Sequence, residues 1–243
     1  MMNFNQIIKE NDSKHLVNFD TRFLEIKSNW EKENIKPNVL MHTCCAPCST
    51  VVLEQIAKLC NLTIFFSNSN IHPIEEYQLR SLSQKKFIDD FNNTHSLNVK
   101  FIEDTYQPKT FIENVYKEHL ELEIEGGKRC NYCYEMRLDR AALYAKEHGY
   151  DYFGSALTLS PHKNSQTINQ IGYDVQAIYS VSYLPSDFKK RNGFKRSIEI
   201  SKQYDIYRQC YCGCVFSAKQ HGIDLKAVRC QAIDQIQDIL KNL

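Results

Sequence analysis

The feature that most limits the fold of this chain is the alternation of short apolar runs with longer segments of helical spacing. The apolar runs have the length of strands and cover residues 38–43, 62–68, 99–106, 151–159 and 179–185. In the segments between them, apolar residues recur at three- and four-residue spacing, which predicts helices. Strands that alternate with helices form a mostly parallel sheet flanked by helices. The sequence therefore predicts an α/β fold.

The length of the chain suits one domain with a small addition. Its 243 residues are 42% hydrophobic and 12% aromatic, which is enough to fill a core of that size. Residues 1–36 are polar and end before Pro37, so we expect an N-terminal helical extension there. Residues 37–243 are then expected to form a single α/β domain that closes with a C-terminal helix. Ser49 and Thr50 are predicted to cap the helix that follows the first strand.

The net charge and the hydropathy of the chain limit which partners and which cellular location we expect. The net charge is +1, so no general excess of basic residues indicates a nucleic-acid partner, although a local basic patch is compatible with one. No run approaches the roughly 18 apolar residues of a membrane span. The N-terminal residues also lack the apolar core of a signal peptide. We therefore expect a soluble, cytoplasmic protein without membrane association.

Ten cysteines are the main chemical signal in this sequence. In a reducing compartment they are not expected to form structural disulfides, which favours metal binding or redox chemistry. Eight of the ten fall in three clusters, which are Cys44-Cys45-x-x-Cys48, Cys130-x-x-Cys133 and Cys210-x-Cys212-x-Cys214. Cys60 and Cys230 stand apart on predicted helices, and we expect both to be buried core thiols.

The two Cys-x-x-Cys pairs together supply four thiolates, which suits a tetrahedral zinc ion or a cubane iron–sulfur cluster. Ligands of open α/β sheets bind outside the carboxyl ends of the strands. Cys45 and Cys48 follow the first predicted strand, so we expect the centre at that rim. Neighbouring side chains in a loop usually point apart, so Cys44 is expected to face a second centre. A structural zinc ribbon and a thioredoxin-like redox pair remain as alternatives.

Six motifs in this order and spacing resemble those of the QueH-type epoxyqueuosine reductases. They are LMHTCCAPCS, SNIHPIEEYQLR, EGGKRCNYCYEMRL, LTLSPHKN, SDFKKRNGFKRS and YRQCYCGCVFS, and they span residues 40–217. The resemblance implies a Rossmann-like fold of the HUP type. It also implies the last step of queuosine synthesis, in which epoxyqueuosine at the tRNA wobble position loses its epoxide oxygen. Cys210 stands where the family pattern has asparagine, so we treat Cys210 as dispensable.

The same resemblance implies two cofactors and two partners. The cofactors are a [4Fe–4S] cluster and a nearby mononuclear iron held by two cysteines and an aspartate, without cobalamin. The partners are tRNA bearing epoxyqueuosine and an external electron donor.

The roles of individual residues follow as hypotheses. We assign the [4Fe–4S] cluster to Cys45, Cys48, Cys130 and Cys133. We place the second iron among Cys44, Cys212 and Cys214, of which two bind, with Asp187 as the carboxylate. Asp104 is the second choice of carboxylate, and a helix cap is the ordinary role open to Asp187. His162 and Lys163 are the candidate proton donors, with a loop contact to phosphate as their alternative role.

RNA recognition is predicted from residue type within the motifs. The candidate phosphate contacts are Arg80, Arg129, Arg137, Lys190 and Arg208. The candidate stacking residues are Tyr77, Tyr132 and Tyr207. Two other functions remain as rivals, a HUP-type tRNA thiolase and a zinc-stabilised RNA-binding module. The first strand is followed by HTCCAPCS and not by the SGGxDS phosphate loop of a thiolase, which argues against that rival.

Overall fold

The structure is a computed structural model that describes residues 16–241. Its strands are β1 (Asn38–His42), β2 (Asn61–Phe66), β3 (Lys100–Glu103), β4 (Tyr152–Ser155) and β5 (Ser182–Leu184). All neighbouring pairs are parallel, and the strand order is β3-β2-β1-β4-β5. This is the order of the first five strands in a Rossmann fold. The prediction of an α/β, Rossmann-like fold is confirmed.

Helices cover both faces of this sheet. They are α1 (Phe19–Lys32), α2 (Ala46–Ile56), α3 (Ile74–His95), α4 (Pro108–Lys117), α5 (Lys128–Glu147), α6 (Ser165–Tyr179), α7 (Gly193–Gln203), α8 (Val215–Gln220) and α9 (Leu225–Lys241). Because helices cover both faces of the sheet, the middle of the central strand β1 is a continuous apolar run. Val39, Leu40 and Met41 of β1 are accordingly all buried.

The register of the central strands sets where the site lies. Leu40 pairs with Thr63 of β2 on one side and with Phe153 of β4 on the other. The carboxyl ends of β1, β2 and β4 therefore lie side by side at one rim of the sheet. The loops that follow these three strands contain residues 43–45, 67–73 and 160–164.

Two local predictions are wrong at the first and fourth strands. The helix after β1 begins at Ala46 with Cys45 as its N-cap, and not at Ser49 or Thr50. Those two hydroxyls instead donate to backbone carbonyls inside the first turn, each over 2.9 Å. The fourth strand ends at Ser155, because a turn of 3₁₀-helix occupies Ala156–Leu159. The short helix α8 is an element that the sequence patterns did not predict.

Helix α1 is packed into the core. Phe19, Phe23 and Trp30 on its inner face are buried. The ring of Phe23 meets that of Phe188 edge-on at 5.1 Å, and Trp30 meets Tyr152 at 5.2 Å. Of the expected extension over residues 1–36, residues 1–15 lie outside the described part of the chain.

Across the described residues, no helix has both the length and the apolar character needed to cross a membrane.

Candidate metal centre

The first cysteine cluster occupies the turn between β1 and α2. Cys44 and Cys45 follow the last residues of β1, and Cys48 lies in the first turn of α2. The Sγ atom of Cys48 is 3.0 Å from that of Cys45 and 3.5 Å from that of Cys44. Within residues 16–241, these three form the one group of three or more cysteine, histidine or acidic side chains whose ligand atoms all lie within 4.8 Å of one another. The Nε2 atom of Gln209 donates to Cys45 Sγ over 2.9 Å.

The second cluster lies on the first two turns of α5. Cys133 is buried, and Cys130 is partly exposed. The backbone N–H of Gly126 donates to Cys130 Sγ over 3.1 Å. Arg137, one turn further along, donates from Nε to the carbonyl oxygen of Cys133 over 3.0 Å. A buried guanidinium therefore lies directly behind this Cys-x-x-Cys pair.

The third cluster lies in the loop before α8, and a buried arginine holds this loop in place. Arg80 of α3 donates from Nη1 to the Cys212 carbonyl over 3.1 Å and from Nη2 to the Tyr211 carbonyl over 3.0 Å. Its Nε donates to Glu76 Oε1 over 2.7 Å. The side chains of Arg80 and Glu76 are both fully buried. Tyr207 donates from its hydroxyl to the same carboxylate.

Gly213 lies between Cys212 and Cys214 in the sequence, and its Cα is packed closely against the chain after β2. Its φ is +100°, a conformation that favours glycine, and an added Cβ would lie 2.8 Å from Cγ1 of Ile71. The backbone N–H of His72 donates to the Gly213 carbonyl over 2.8 Å. The loop is thus fixed against the chain that follows β2 as well as against α3.

The three clusters converge on one small cavity. Five of its lining residues are cysteines, which are Cys44, Cys130, Cys133, Cys212 and Cys214. Cys45 and Cys48 contact Cys44, as described above, so seven thiols from three separate segments meet at one place. Arg137 and Lys163 line the same cavity and carry positive charge. The thiols can bind a metal as thiolates, and the two cations can compensate part of the negative charge of those thiolates.

Two of these seven thiols have lowered pKa values. Hydrogen bonds from Cys45 and Cys48 lower the pKa of Cys44 well below its usual range, and Lys163 and Arg137 act in the same direction. A hydrogen bond from Cys214 lowers the pKa of Cys212 to about 6. In both clusters, the cysteines that donate these hydrogen bonds remain protonated, while Cys44 in the first cluster and Cys212 in the third become thiolates. Metal-binding cysteines must be deprotonated, so these two thiolates are ready ligands.

Burial has the opposite effect on the pKa values of three of the other five thiols. It raises the pKa of Cys45 to about 12 and that of Cys133 to about 11. The pKa of Cys130 is also raised, chiefly by burial. These thiols would release protons on binding a metal.

In the metal-free protein, we expect the reactivity of Cys212 to depend on Cys214. A thiol with a pKa of about 6 is about 90% thiolate at pH 7. Cys214→Ala removes the largest cause of the lowered pKa, so the midpoint of Cys212 alkylation should move to higher pH. Peptide mapping by mass spectrometry after iodoacetamide pulses between pH 5 and 9 measures this midpoint. Cys130→Ala is the matched control and should leave it in place; an unmoved midpoint in Cys214→Ala would contradict the assignment.

The carboxylates predicted for the second iron lie in different surroundings. Asp187 accepts a hydrogen bond from Ser165 Oγ over 3.0 Å and pairs with Lys189 over 3.4 Å. It is not among the residues that line the cysteine cavity. Asp104 is held by Arg140, with Nε and Nη2 each 2.9 Å from one of its oxygens. The role of Asp187 stays a prediction.

Glu125 lines the cysteine cavity and was missed from the sequence. Its Oε2 accepts from Ser217 Oγ over 2.6 Å and contacts His221 Nε2 at 2.8 Å. Although burial raises the pKa of this carboxyl, hydrogen bonds from Ser217 and His221 leave it below the usual value. The only available signal was the position of Glu125 in the motif EGGKRC, five residues before Cys130.

The two predicted proton donors both lie at the cavity. His162 is exposed at its mouth, and Lys163 points inward toward Cys44 and Cys48. The nearby thiolates raise the pKa of Lys163 even though burial opposes this. Lys163 therefore remains a cation.

All ten cysteines are free thiols. Cys60 is buried, as predicted, and lies in the turn between α2 and β2. The prediction for Cys230 is wrong, because α9 buries only Val228 and Ala232 and leaves Cys230 exposed. Cys210, which we treated as dispensable, is exposed on the loop.

Three of the predicted phosphate contacts are buried and bind the protein itself. Arg80 and Arg137 donate to the carbonyls described above, and Arg129 donates to Gln220 Oε1 over 3.1 Å and to the Glu123 carbonyl. Arg208 and Lys190 are exposed. Of the predicted stacking residues, Tyr77 is buried against Tyr106, with ring centres 4.0 Å apart.

The chain matches a known family over most of its length. The profile described as epoxyqueuosine reductase QueH matches residues 39–220. The chain belongs to the QueH family. Curated QueH proteins similar to it come from Staphylococcus aureus, with 52% identity over 96% of both chains, and from Staphylococcus epidermidis, with 50% identity over 94% of this chain and 95% of the relative. A third, from Streptococcus pyogenes serotype M1, is 48% identical over 94% of this chain and 89% of the relative.

Membership of the QueH family makes this chain an oxidoreductase, as the sequence motifs predicted. Among solved structures it shows a distant likeness to the U34-tRNA thiolase NcsA from Methanococcus maripaludis with its [4Fe–4S] cluster. The TM-score is 0.43 with 13% identity, over 91% of this chain and 78% of that chain. A likeness this distant does not bear on function.

Proposed function

We propose that this QueH protein reduces epoxyqueuosine in the wobble position of tRNA to queuosine, using iron–sulfur chemistry and no cobalamin. The epoxide oxygen leaves as water, with two electrons from an external reductant and two protons. The observation that carries the proposal is the convergence of seven thiols from three segments at the carboxyl ends of the sheet strands. The names of the curated relatives supply the substrate.

The donor set fits the proposed cofactors. A cubane cluster takes four thiolates, and seven thiols leave three for a second iron. Thiolate ligation brings negative charge, and the Arg137 and Lys163 side chains place positive charge beside it. A structural zinc ion would need only four ligands and would leave three thiols without a role.

The ligand assignment remains the one made from the sequence. Cys45, Cys48, Cys130 and Cys133 bind the cluster in this proposal. Two of Cys44, Cys212 and Cys214 bind the second iron, with Asp187 as the carboxylate. Glu125 is the alternative carboxylate, because it lines the cavity together with those three cysteines. When bound, the metal centres would supply electrons and a Lewis acid to the epoxide oxygen.

The side chains around the cavity then have distinct tasks. Lys163 Nζ, kept protonated beside the thiolates, can hold a proton close to the reacting oxygen. His162, exposed at the mouth, can exchange protons with solvent and resupply the site. The buried guanidinium of Arg137 stabilises negative charge and fixes the turn that carries Cys133.

The direct test is conversion of the modified nucleoside. Protein reconstituted anaerobically with iron and sulfide is incubated with a strong one-electron reductant and tRNA bearing epoxyqueuosine. The digested tRNA is then analysed by mass spectrometry. We expect queuosine, lighter by one oxygen atom, without added cobalamin. The matched control is Cys230→Ala, which removes an exposed thiol that does not line the cavity and should convert as well as wild type. No conversion by protein with full iron and sulfide, or stoichiometric zinc with no iron in anaerobic preparations, would refute the proposal.

A further inference from the structure

An open groove of about 680 Å³ leads from the cysteine cavity to the surface. Its inner end contains Cys48 and Cys212, and its outer part contains Phe194 and Arg208. The volume is within the range that holds small ligands, roughly 300–1,000 Å³. A ligand that reaches the cysteines from solvent would therefore pass along this groove.

Phe194 and Arg208 form a pair on the wall of this groove. Phe194, the second residue of α7, lines the groove and exposes 37% of its surface. The guanidinium carbon of Arg208 lies 6.0 Å from the centre of the Phe194 ring. Arg208 Nη1 also donates to Ser201 Oγ over 3.1 Å, and Ser201 is buried. The guanidinium is thus held over the ring by a fixed partner.

The charge of Arg208 is not compensated within the described part of the chain. Across residues 16–241, no carboxylate lies within the 4.0 Å ion-pair limit of Arg208 or of Lys163 further along the groove. By contrast, Arg196 of α7, the helix that carries Phe194, pairs with Glu54 over 2.6 Å and with Glu199 over 3.1 Å. Lys163 has the cavity thiolates beside it, whereas Arg208 is a cation without an ion pair on the groove wall, which suits an anionic ligand.

We propose that Phe194 and Arg208 bind one nucleotide of an RNA loop, with its base stacked on Phe194 and its phosphate at the Arg208 guanidinium. Sequence-specific RNA recognition uses splayed-out loop bases stacked on aromatic side chains, and an anticodon loop offers them. This inference rests on the proposed function, because an RNA substrate is what makes a nucleotide the occupant. Bound in this way, the RNA loop has its next nucleotide at the inner end of the groove, beside the cysteines.

The test is binding of a fluorescently labelled anticodon stem-loop RNA, measured by anisotropy with reconstituted full-length protein. Loss of one stacked base weakens binding by about 10- to 100-fold, so we expect that loss for Phe194→Ala and near-complete retention for Phe194→Tyr. For Arg208→Gln, the slope of log Kd against log salt should fall by about 0.7, which is one phosphate contact. Arg196→Gln is the matched control on the helix that carries Phe194 and should bind like wild type. Iron and sulfide content establishes that each variant is folded and loaded.

The outcomes separate the inference from the proposed function. If Phe194→Ala binds the RNA like wild type, or no more weakly than Arg196→Gln, while wild type converts epoxyqueuosine, the nucleotide site is wrong and the function stands. If Phe194→Ala and Arg208→Gln lose binding as expected but wild type converts no epoxyqueuosine, the groove binds RNA and the substrate is wrong. An unchanged salt slope for Arg208→Gln would overturn the phosphate contact.

Discussion

Cys133→Ala is expected to yield folded protein that has lost most of its iron and sulfide and converts epoxyqueuosine at least about 100-fold more slowly. Loss of a residue that merely orients a metal ligand already costs about 10- to 100-fold in affinity or activity, and loss of a ligand costs more. Under the proposed assignment, Cys133 is one of four cluster ligands. Iron and sulfide analysis, the absorbance of the cluster and the nucleoside assay measure the three effects separately.

The matched control for this experiment is Cys60→Ala. Cys60 is also a buried thiol, but it lies in the turn after α2, donates over 3.2 Å to the carbonyl of Ile56, the last residue of that helix, and does not line the cavity. Both substitutions remove one sulfur from the interior, so their effects on the free energy of unfolding of metal-free protein should be similar. Only Cys133→Ala should change the metal content. Full iron and sulfide in Cys133→Ala would remove this residue from the ligand set.

The second large effect is expected at Arg80, which holds the loop of the third cluster. Arg80→Met leaves the fully buried Glu76 carboxylate without its cation, and breaking a buried pair in this way costs about 3–5 kcal/mol. Urea unfolding of metal-free protein measures that loss. The variant also removes both donors to the carbonyls of Tyr211 and Cys212. We therefore expect reduced iron content after reconstitution.

A double variant separates the two roles of Arg80. Arg80→Met combined with Glu76→Gln removes both charges and keeps an acceptor for the Tyr207 hydroxyl. It should recover much of the free energy of unfolding, because no uncompensated charge remains buried. The iron content should stay low, because the loop has still lost its two donors. Recovery of both stability and iron would show that Arg80 acts only through Glu76.

The fold was predictable because the decisive information is local. The central strands contain short apolar runs, and in β1 Val39, Leu40 and Met41 follow one another because the strand is covered on both faces. The rim position of Cys45 and Cys48 followed from the same reasoning, since both come directly after a strand. The start of α2 was misplaced because Pro47 favours an earlier helix start than the Ser49 and Thr50 capping signals indicated.

The parts of the site that could not be predicted depend on contacts between distant segments. Arg80 was interpreted as a phosphate contact, but it binds the carbonyl of a residue 132 positions later. Glu125 lies in a loop without periodicity, and only the folded chain brings it to the cysteines. Cys230 was assigned to the core as an isolated thiol on the last predicted helix, yet α9 packs on α3 and buries only Val228 and Ala232. In each case the decisive contact is made by residues far apart in the chain.

The order of the three cysteine segments along the chain has a consequence for biogenesis. Domains form from the N-terminus during synthesis, so the turn with Cys44 emerges first and the loop with Cys212 and Cys214 emerges last. Arg80 already stands in the earlier part when that loop arrives and docks onto it. Before this loop docks, the cavity is open on one side to the proteins that deliver iron and sulfide. We therefore expect maturation factors to act on a nearly finished chain, with docking of the last loop as the step that completes the set of cysteine ligands.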